Sequence, residues 1–110
     1  MAKFPALIPI EAARSAPIPP GRRSPEMMRH GSLEARFYAP RGSDPQTPHD
    51  QDEIYIVHTG SGRFRKGDDV RPFGPGDVIF VEAGAVHRFE DFTSDFAAWA
   101  VFWGPEGGEG

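Results

Sequence analysis

The sequence contains no cysteine. Disulfide bonds, thiolate metal ligands and a cysteine nucleophile are therefore excluded, and redox chemistry gives no indication of the compartment. The sequence also lacks a long apolar run near its start. Residues 1–10 carry one positive charge and are interrupted by Pro5 and Pro9, so they are too short and too broken for a signal peptide or a membrane span. We expect a cytoplasmic protein with no membrane partner.

Concentrated positive charge is missing as well. The formal net charge is −4, and the arginines are scattered along the chain. Proteins that bind nucleic acids or anionic membranes usually present a basic patch or stripe. We therefore expect no nucleic-acid partner.

Turn-forming residues, in contrast, are abundant. The 110 residues include 13 glycines and 12 prolines. Strand-forming residues cluster between these turns and helical patterns are scarce, which is typical of an all-β sandwich or barrel with short strands. A chain of this length suits one domain with a modest core.

The chain divides into three parts. Residues 1–26 hold six prolines, which exclude a long helix and remove strand donors, so they predict an extended Pro-rich N-terminal arm. Residues 27–104 are predicted to form the barrel, and residues 105–110 a flexible tail. The arm has too many apolar residues for a solvated segment, so we expect it to pack on something. These residues are Phe4, Leu7, Ile8, Ile10 and Ile18.

Apolar segments between turns predict the strands. The first strand is expected over residues 28–39, where apolar and polar residues alternate, and another over residues 53–59. Residues 78–81 are predicted to form a buried strand, because all four are apolar. The last strand is expected over residues 96–103.

Two segments carry candidate metal ligands. Residues 48–60 contain His49 and Glu53, and residues 76–91 contain His87. Each segment lies where a short strand meets a Gly-rich turn, so the three side chains could converge inside one barrel. Two imidazoles and one carboxylate suit a divalent metal that keeps open positions for a substrate or dioxygen.

Each of these residues also has a simpler interpretation. His49 could be an exposed loop histidine, and His87 a core histidine with satisfied hydrogen bonds. Glu53 could face outward, with Ile54 and Ile56 toward the core instead. Both faces of that strand are apolar, so periodicity leaves this choice open.

The spacing of these residues resembles the two sequence motifs of the cupins. The later part of the first motif is matched by His49-x3-Glu53-x6-Gly60. The spacing of the second motif is kept by Gly76-x5-Glu82-x-Gly84-x2-His87-x3-Asp91. The resemblance covers roughly residues 27–103. It implies a double-stranded β-helix, also called a cupin or jelly-roll barrel, with one divalent metal ion, either iron, manganese, nickel or zinc, held by the two histidines and the glutamate.

Three positions depart from the cupin motifs. Thr47 stands where the first histidine is expected and removes a ligand, whereas Glu82 in place of proline and Asp91 in place of asparagine leave the ligand set unchanged. If the segment is extended, alternate residues point to the same side, so the side chains of Thr47 and Gln51 lie on the same side as those of His49 and Glu53. Both are therefore candidate auxiliary ligands, and a water molecule is the alternative.

Aromatic residues are expected to surround the site, because small barrels are filled by interior side chains or enclose one ligand. A plain hydrophobic core is the alternative. The expected lining residues are Tyr38, Tyr55, Phe64, Phe80, Phe89, Trp99 and Trp103. Candidate anchors for a substrate carboxylate or phosphate, which otherwise would be surface charges, are Arg36, Arg63, Arg65 and Arg88.

The resemblance implies a range of functions. A metalloenzyme of the dioxygenase or isomerase type, acting on a small organic molecule, is the first hypothesis. A non-catalytic module that binds a small molecule or a metal is the second, and a metal-free barrel the third. We also expect a homodimer whose interface uses the arm, because a lone small barrel exposes edge strands and apolar surface.

Overall fold

The computed structural model describes residues 6–110, so Phe4 of the predicted arm lies outside the described residues. Within these described residues, one short helix precedes eight strands. The elements are α1 (Ile10–Ser15), β1 (Glu26–His30), β2 (Leu33–Tyr38), β3 (Asp52–Thr59), β4 (Gly62–Lys66), β5 (Asp69–Phe73), β6 (Val78–Val81), β7 (His87–Glu90) and β8 (Ala97–Trp103). The paired strands run antiparallel. The predicted all-β fold is confirmed.

Two sheets enclose the core. One has the strand order β1-β2-β8-β3-β6, and the other has the order β5-β4-β7. Tyr55 from the larger sheet packs edge-on against Phe89 from the smaller sheet, with ring centroids 4.8 Å apart, and Phe64 lies 5.1 Å from Phe89. Because buried side chains of both sheets form one cluster, the sheets face each other as a small barrel.

The orientation of β3 is settled by burial. Glu53, Tyr55 and Val57 are 1%, 1% and 2% exposed, whereas Ile56 is 38% exposed. Alternation along a strand places the first three on the inner face of the barrel. The outward-facing alternative for Glu53 is therefore excluded.

Two strand predictions are corrected. The predicted first strand, residues 28–39, is two antiparallel strands, because the chain reverses at Gly31 with a φ of 58°. Residues 78–81 do form a strand, but β6 lies at the edge of its sheet and only one of its faces is buried, with Val81 2% exposed. Val78 is 65% exposed and Phe80 is 49% exposed.

The arm is not simply extended. It contains α1, whose Ala13 is 2% exposed and packs against Phe37 and Ala97. This cluster is separate from the barrel core, so α1 covers the outer face of the larger sheet. Among residues 6–110, no helix has the length and apolar character that crossing a membrane requires.

The tail also differs from the prediction of a loose segment. The Gly107 amide donates to the Asp50 carbonyl at 2.7 Å, and the Glu109 amide donates to the Asp52 carboxylate at 2.9 Å. These bonds hold the tail against the beginning of β3.

Candidate metal centre

Backbone contacts bring the two ligand-bearing segments together. The Gly84 amide donates to the carbonyl of His49 at 2.8 Å. Gly84 has a φ of 81°, a conformation that glycine adopts without strain, and the turn leads directly into β7, which begins at His87. Glu53 enters from the inner face of β3, opposite Phe102 of β8.

The three candidate ligands form one compact cluster. Nε2 of His49 and Nε2 of His87 each lie 3.7 Å from Oε1 of Glu53. One potential ligand atom from each residue lies within 4.8 Å of the others. Neighbouring ligands of a metal with bonds of about 2.1 Å stand roughly 3 to 3.5 Å apart, so small side-chain movements would close the cluster around an ion.

The Glu53 carboxylate is buried without a partner. Its side chain is 1% exposed, and neither oxygen has a hydrogen-bond partner among residues 6–110. Burial raises the pKa of Glu53 to about 8. A buried carboxylate is costly unless it is paired, hydrogen-bonded or bound to a metal, so the two free oxygens fit a metal ligand well.

Both histidines are suited to ligate. Burial is the main cause that lowers the pKa of His49, the neighbouring His87 adds to it, and the Arg23 guanidinium contributes least. His49 is therefore neutral at pH 7, which is the ligating form. Nδ1 of His87 lies 2.9 Å from the Ala85 carbonyl, which can only accept. The proton thus belongs on Nδ1, and the lone pair of Nε2 points into the cluster.

Comparison with known protein families matches residues 36–103 to the Cupin domain family. The chain belongs to the cupin family. This match contains all three candidate ligands, and cupins commonly bind a metal ion.

Individual proteins resemble the chain at moderate identity. An uncharacterised protein of Streptomyces coelicolor is 31% identical over 83 residues, which cover 74% of this chain and 79% of that protein. The crystal structure of a cupin 2 conserved barrel domain protein from Salinispora arenicola superposes with a TM-score of 0.65 at 26% identity, covering 89% of this chain and 87% of that one. The DMSP lyase DddQ from Ruegeria pomeroyi gives a TM-score of 0.60 at 27% identity. That match covers 71% of this cupin and 41% of the lyase chain.

The predicted auxiliary ligands do not reach the centre of the cluster. Thr47 is exposed and does not line the cavity. Gln51 lines the cavity, but its amide donates to the carbonyls of Gly104 and Ser32 at 2.8 and 3.2 Å. The side chain that does reach the cluster is Gln46, whose Oε1 lies 3.2 Å from Nε2 of His49.

Gln46 was missed because the alternation that predicted Thr47 requires an extended segment. Pro45 and Pro48 flank this part of the loop and fix their own φ angles, so the regular two-residue period does not hold. The two prolines were the available signal that side chains would not alternate regularly in this segment. Nothing in the sequence indicated which side chain would turn inward instead.

A cavity of about 480 Å³ opens onto the cluster. Of the predicted lining residues, Tyr38 and Tyr55 line it, while Phe64 and Phe89 belong to the core. The prediction is wrong for Phe80, Trp99 and Trp103, which lie on the outside of the barrel because their strand positions face outward. Trp99 packs against Phe37 with ring centroids 5.1 Å apart, and Phe80 lies 6.4 Å from Trp103.

The predicted arginine anchors are largely engaged elsewhere. Arg36 lines the cavity, but its guanidinium donates to Ser24 and to Glu34. Arg63, Arg65 and Arg88 lie on the smaller sheet and do not line the cavity. Two exposed arginines of the arm stand at the cavity instead, Arg22 and Arg23.

Proposed function

We propose that this cupin is a metalloenzyme in which His49, Glu53 and His87 hold one divalent ion of iron, manganese, nickel or zinc. The observation that carries the proposal is the pair of buried Glu53 oxygens without hydrogen-bond partners, 3.7 Å from two imidazole nitrogens. When bound, such a metal supplies Lewis-acid chemistry or a binding position for dioxygen. The reaction is of the dioxygenase or isomerase type, and the likeness to a lyase adds elimination to the classes worth testing.

The size of the cavity favours a small organic molecule as the substrate. Its volume of about 480 Å³ is in the usual range for small-molecule sites. The Tyr55 hydroxyl lies 3.2 Å from Nε2 of His87, at the inner end of the cavity. Burial raises the pKa of Tyr55 well above its usual value, so the hydroxyl keeps its proton. It donates that proton to Oε1 of Gln46 at 2.9 Å, and its oxygen can accept a hydrogen bond from a bound molecule.

Charge at the cavity mouth favours an organic acid as the substrate. Arg22 and Arg23 line the mouth, and the charge of Arg23 already influences His49. Glu34 is paired with Arg36, and the exposed carboxylate of Asp50, which also lines the cavity, offsets only one of the two arginine charges. A carboxylate held between these arginines would direct the rest of the molecule toward the metal ligands.

The test is metal content. Wild-type protein, purified without added metal and then reconstituted anaerobically with iron, manganese, nickel or zinc, is expected to bind one ion per chain. His49→Ala, Glu53→Ala and His87→Ala should each lose most of it. His58→Ala is the matched control, because His58 lies on the opposite face of β3 and contacts Phe37.

Two results would contradict the proposal. A wild-type protein that binds no ion after reconstitution would leave a metal-free barrel, and equal metal content in all variants would mean that the ion binds elsewhere. A metallated protein that binds organic acids but converts none of them, in a screen with the metal found, would make it a non-catalytic binding module.

A further inference from the structure

The Gln46 side chain lies next to the candidate metal ligands, although the cupin motifs place no ligand at this position. Its Oε1 lies 3.2 Å from Nε2 of His49 and accepts a hydrogen bond from the Tyr55 hydroxyl at 2.9 Å. The same hydroxyl lies 3.2 Å from Nε2 of His87. The amide oxygen therefore contacts His49 directly and is linked to His87 through the Tyr55 hydroxyl.

Asp44 determines which end of this amide faces the cluster. Asp44 is 7% exposed, and its Oδ2 accepts from Nε2 of Gln46 at 2.6 Å and from the backbone amide of Phe89 at 2.7 Å. Its Oδ1 accepts from the Tyr38 hydroxyl. A carboxylate in such a network only accepts, so the amide nitrogen of Gln46 must point toward Asp44 and the amide oxygen toward the histidines.

We propose that Oε1 of Gln46 is a fourth protein ligand of the metal ion. This inference rests on the proposed function. The contact between Oε1 and His49 requires a proton on Nε2, and that proton is absent when Nε2 ligates an ion. Oε1 has two lone pairs, of which the Tyr55 hydroxyl uses one and the ion takes the other. The neighbouring Thr47, at the motif position for the first histidine, stays in solvent.

The exchange of an imidazole for an amide oxygen has a chemical consequence. Carbonyl and carboxylate oxygens suit harder ions such as Mn²⁺, whereas imidazole suits zinc, copper, nickel and iron. A site with two imidazoles, one carboxylate and one amide oxygen thus accommodates manganese better than the cupin site with three imidazoles. In an octahedral arrangement it leaves two positions for the substrate.

The experiment titrates metal-free protein with Co²⁺ against a competing chelator and records the visible spectrum of the bound ion. Gln46→Leu, which keeps the size of the side chain and removes the oxygen, is expected to weaken Co²⁺ affinity roughly 10-fold or more and to change the spectrum. Gln51→Leu is the matched control, since Gln51 is a cavity glutamine whose amide bonds away from the cluster. It should match the wild type.

The outcomes separate the two proposals. If wild type binds no stoichiometric Co²⁺, both the metal centre and the Gln46 ligand are overturned. If wild type binds and Gln46→Leu shows the same affinity, or a weaker affinity with an unchanged spectrum, only the Gln46 ligand is overturned, since Gln46 then merely positions His49. If Gln46→Leu does not fold, Gln46→Asn is used instead, because its side chain is one methylene shorter and holds the amide oxygen away from the ion. Its Co²⁺ affinity and visible spectrum are then compared with those of the wild type in the same way.

Discussion

Glu53 is buried, and within the described part of the chain its carboxyl oxygens have no hydrogen-bond partner, which affects stability before any metal binds. The carboxyl has a pKa of about 8 in the folded protein, against an ordinary value of 4.5, because burial disfavours its charged form. The folded state therefore keeps the proton over a pH range in which the unfolded chain releases it. This contribution to stability is fully present below about pH 4.5 and is lost as pH rises toward 8.

Glu53→Gln tests this linkage. Metal-free wild type should lose stability relative to Glu53→Gln as pH rises from 4.5 to 8, because the amide has no proton to release. Urea denaturation at several pH values, with a chelator present, measures the difference. A constant difference across this range would mean that Glu53 is paired or hydrated in solution.

At the residue level, the sequence predicted the three clustered side chains because their spacing places them at strand ends. It did not predict Gln46, since two prolines override the alternation on which parity arguments depend. The tertiary network of Asp44 then decides which side chain turns inward. That the three clustered residues bind a metal remains a prediction.

At the level of elements, the sequence predicted where most strands lie, but it did not predict how deeply strand β6 is buried. β6 consists of four apolar residues, as a buried strand would, yet it lies at a sheet edge. Its outward side chains pair across to β3, with Phe80 opposite Ile54 and Val78 opposite Ile56. Strand order in a sheet depends on long-range pairing, so the composition of a single strand cannot reveal it. The reversal at Gly31 was missed because the alternation seen in residues 33–38 was extended back across the glycine to residue 28.

α1 offers a direct test of how the arm contributes. Ala13→Glu buries a charge between Phe37 and Ala97 and should destabilise the protein by about 1 to 3 kcal/mol. Ala12→Glu, at an exposed position of the same helix, should change stability by less than about 0.5 kcal/mol. Denaturant titration of both variants compares them. Equal effects would mean that α1 does not rest on the barrel in solution.

For the whole molecule, exposed apolar side chains make the homodimer a continuing prediction. Leu7 and Ile18 of the arm are 72% and 55% exposed, although α1 between them packs on its own barrel. These side chains are available to contact a second copy, so the interface through the arm stays a prediction.

Light scattering measures the mass directly. The full chain is expected at twice 12.1 kDa, and deletion of residues 1–20 should give the monomer. Because the deletion also removes α1, the double variant Leu7→Ser and Ile18→Ser provides a milder change that leaves the helix in place. A monomeric full-length chain, or a double variant as dimeric as the wild type, would rule out this interface.

The hydrogen bond from Gly84 to His49 links, through the backbone, the two segments that carry the candidate metal ligands. An amide proton in such a bond exchanges with solvent only when the two loops separate. The exchange rate of the Gly84 amide in deuterated buffer therefore reports how often the cluster opens. An ion bound by ligands from both loops would slow that exchange, so a single amide resonance could follow site closure without any knowledge of the substrate.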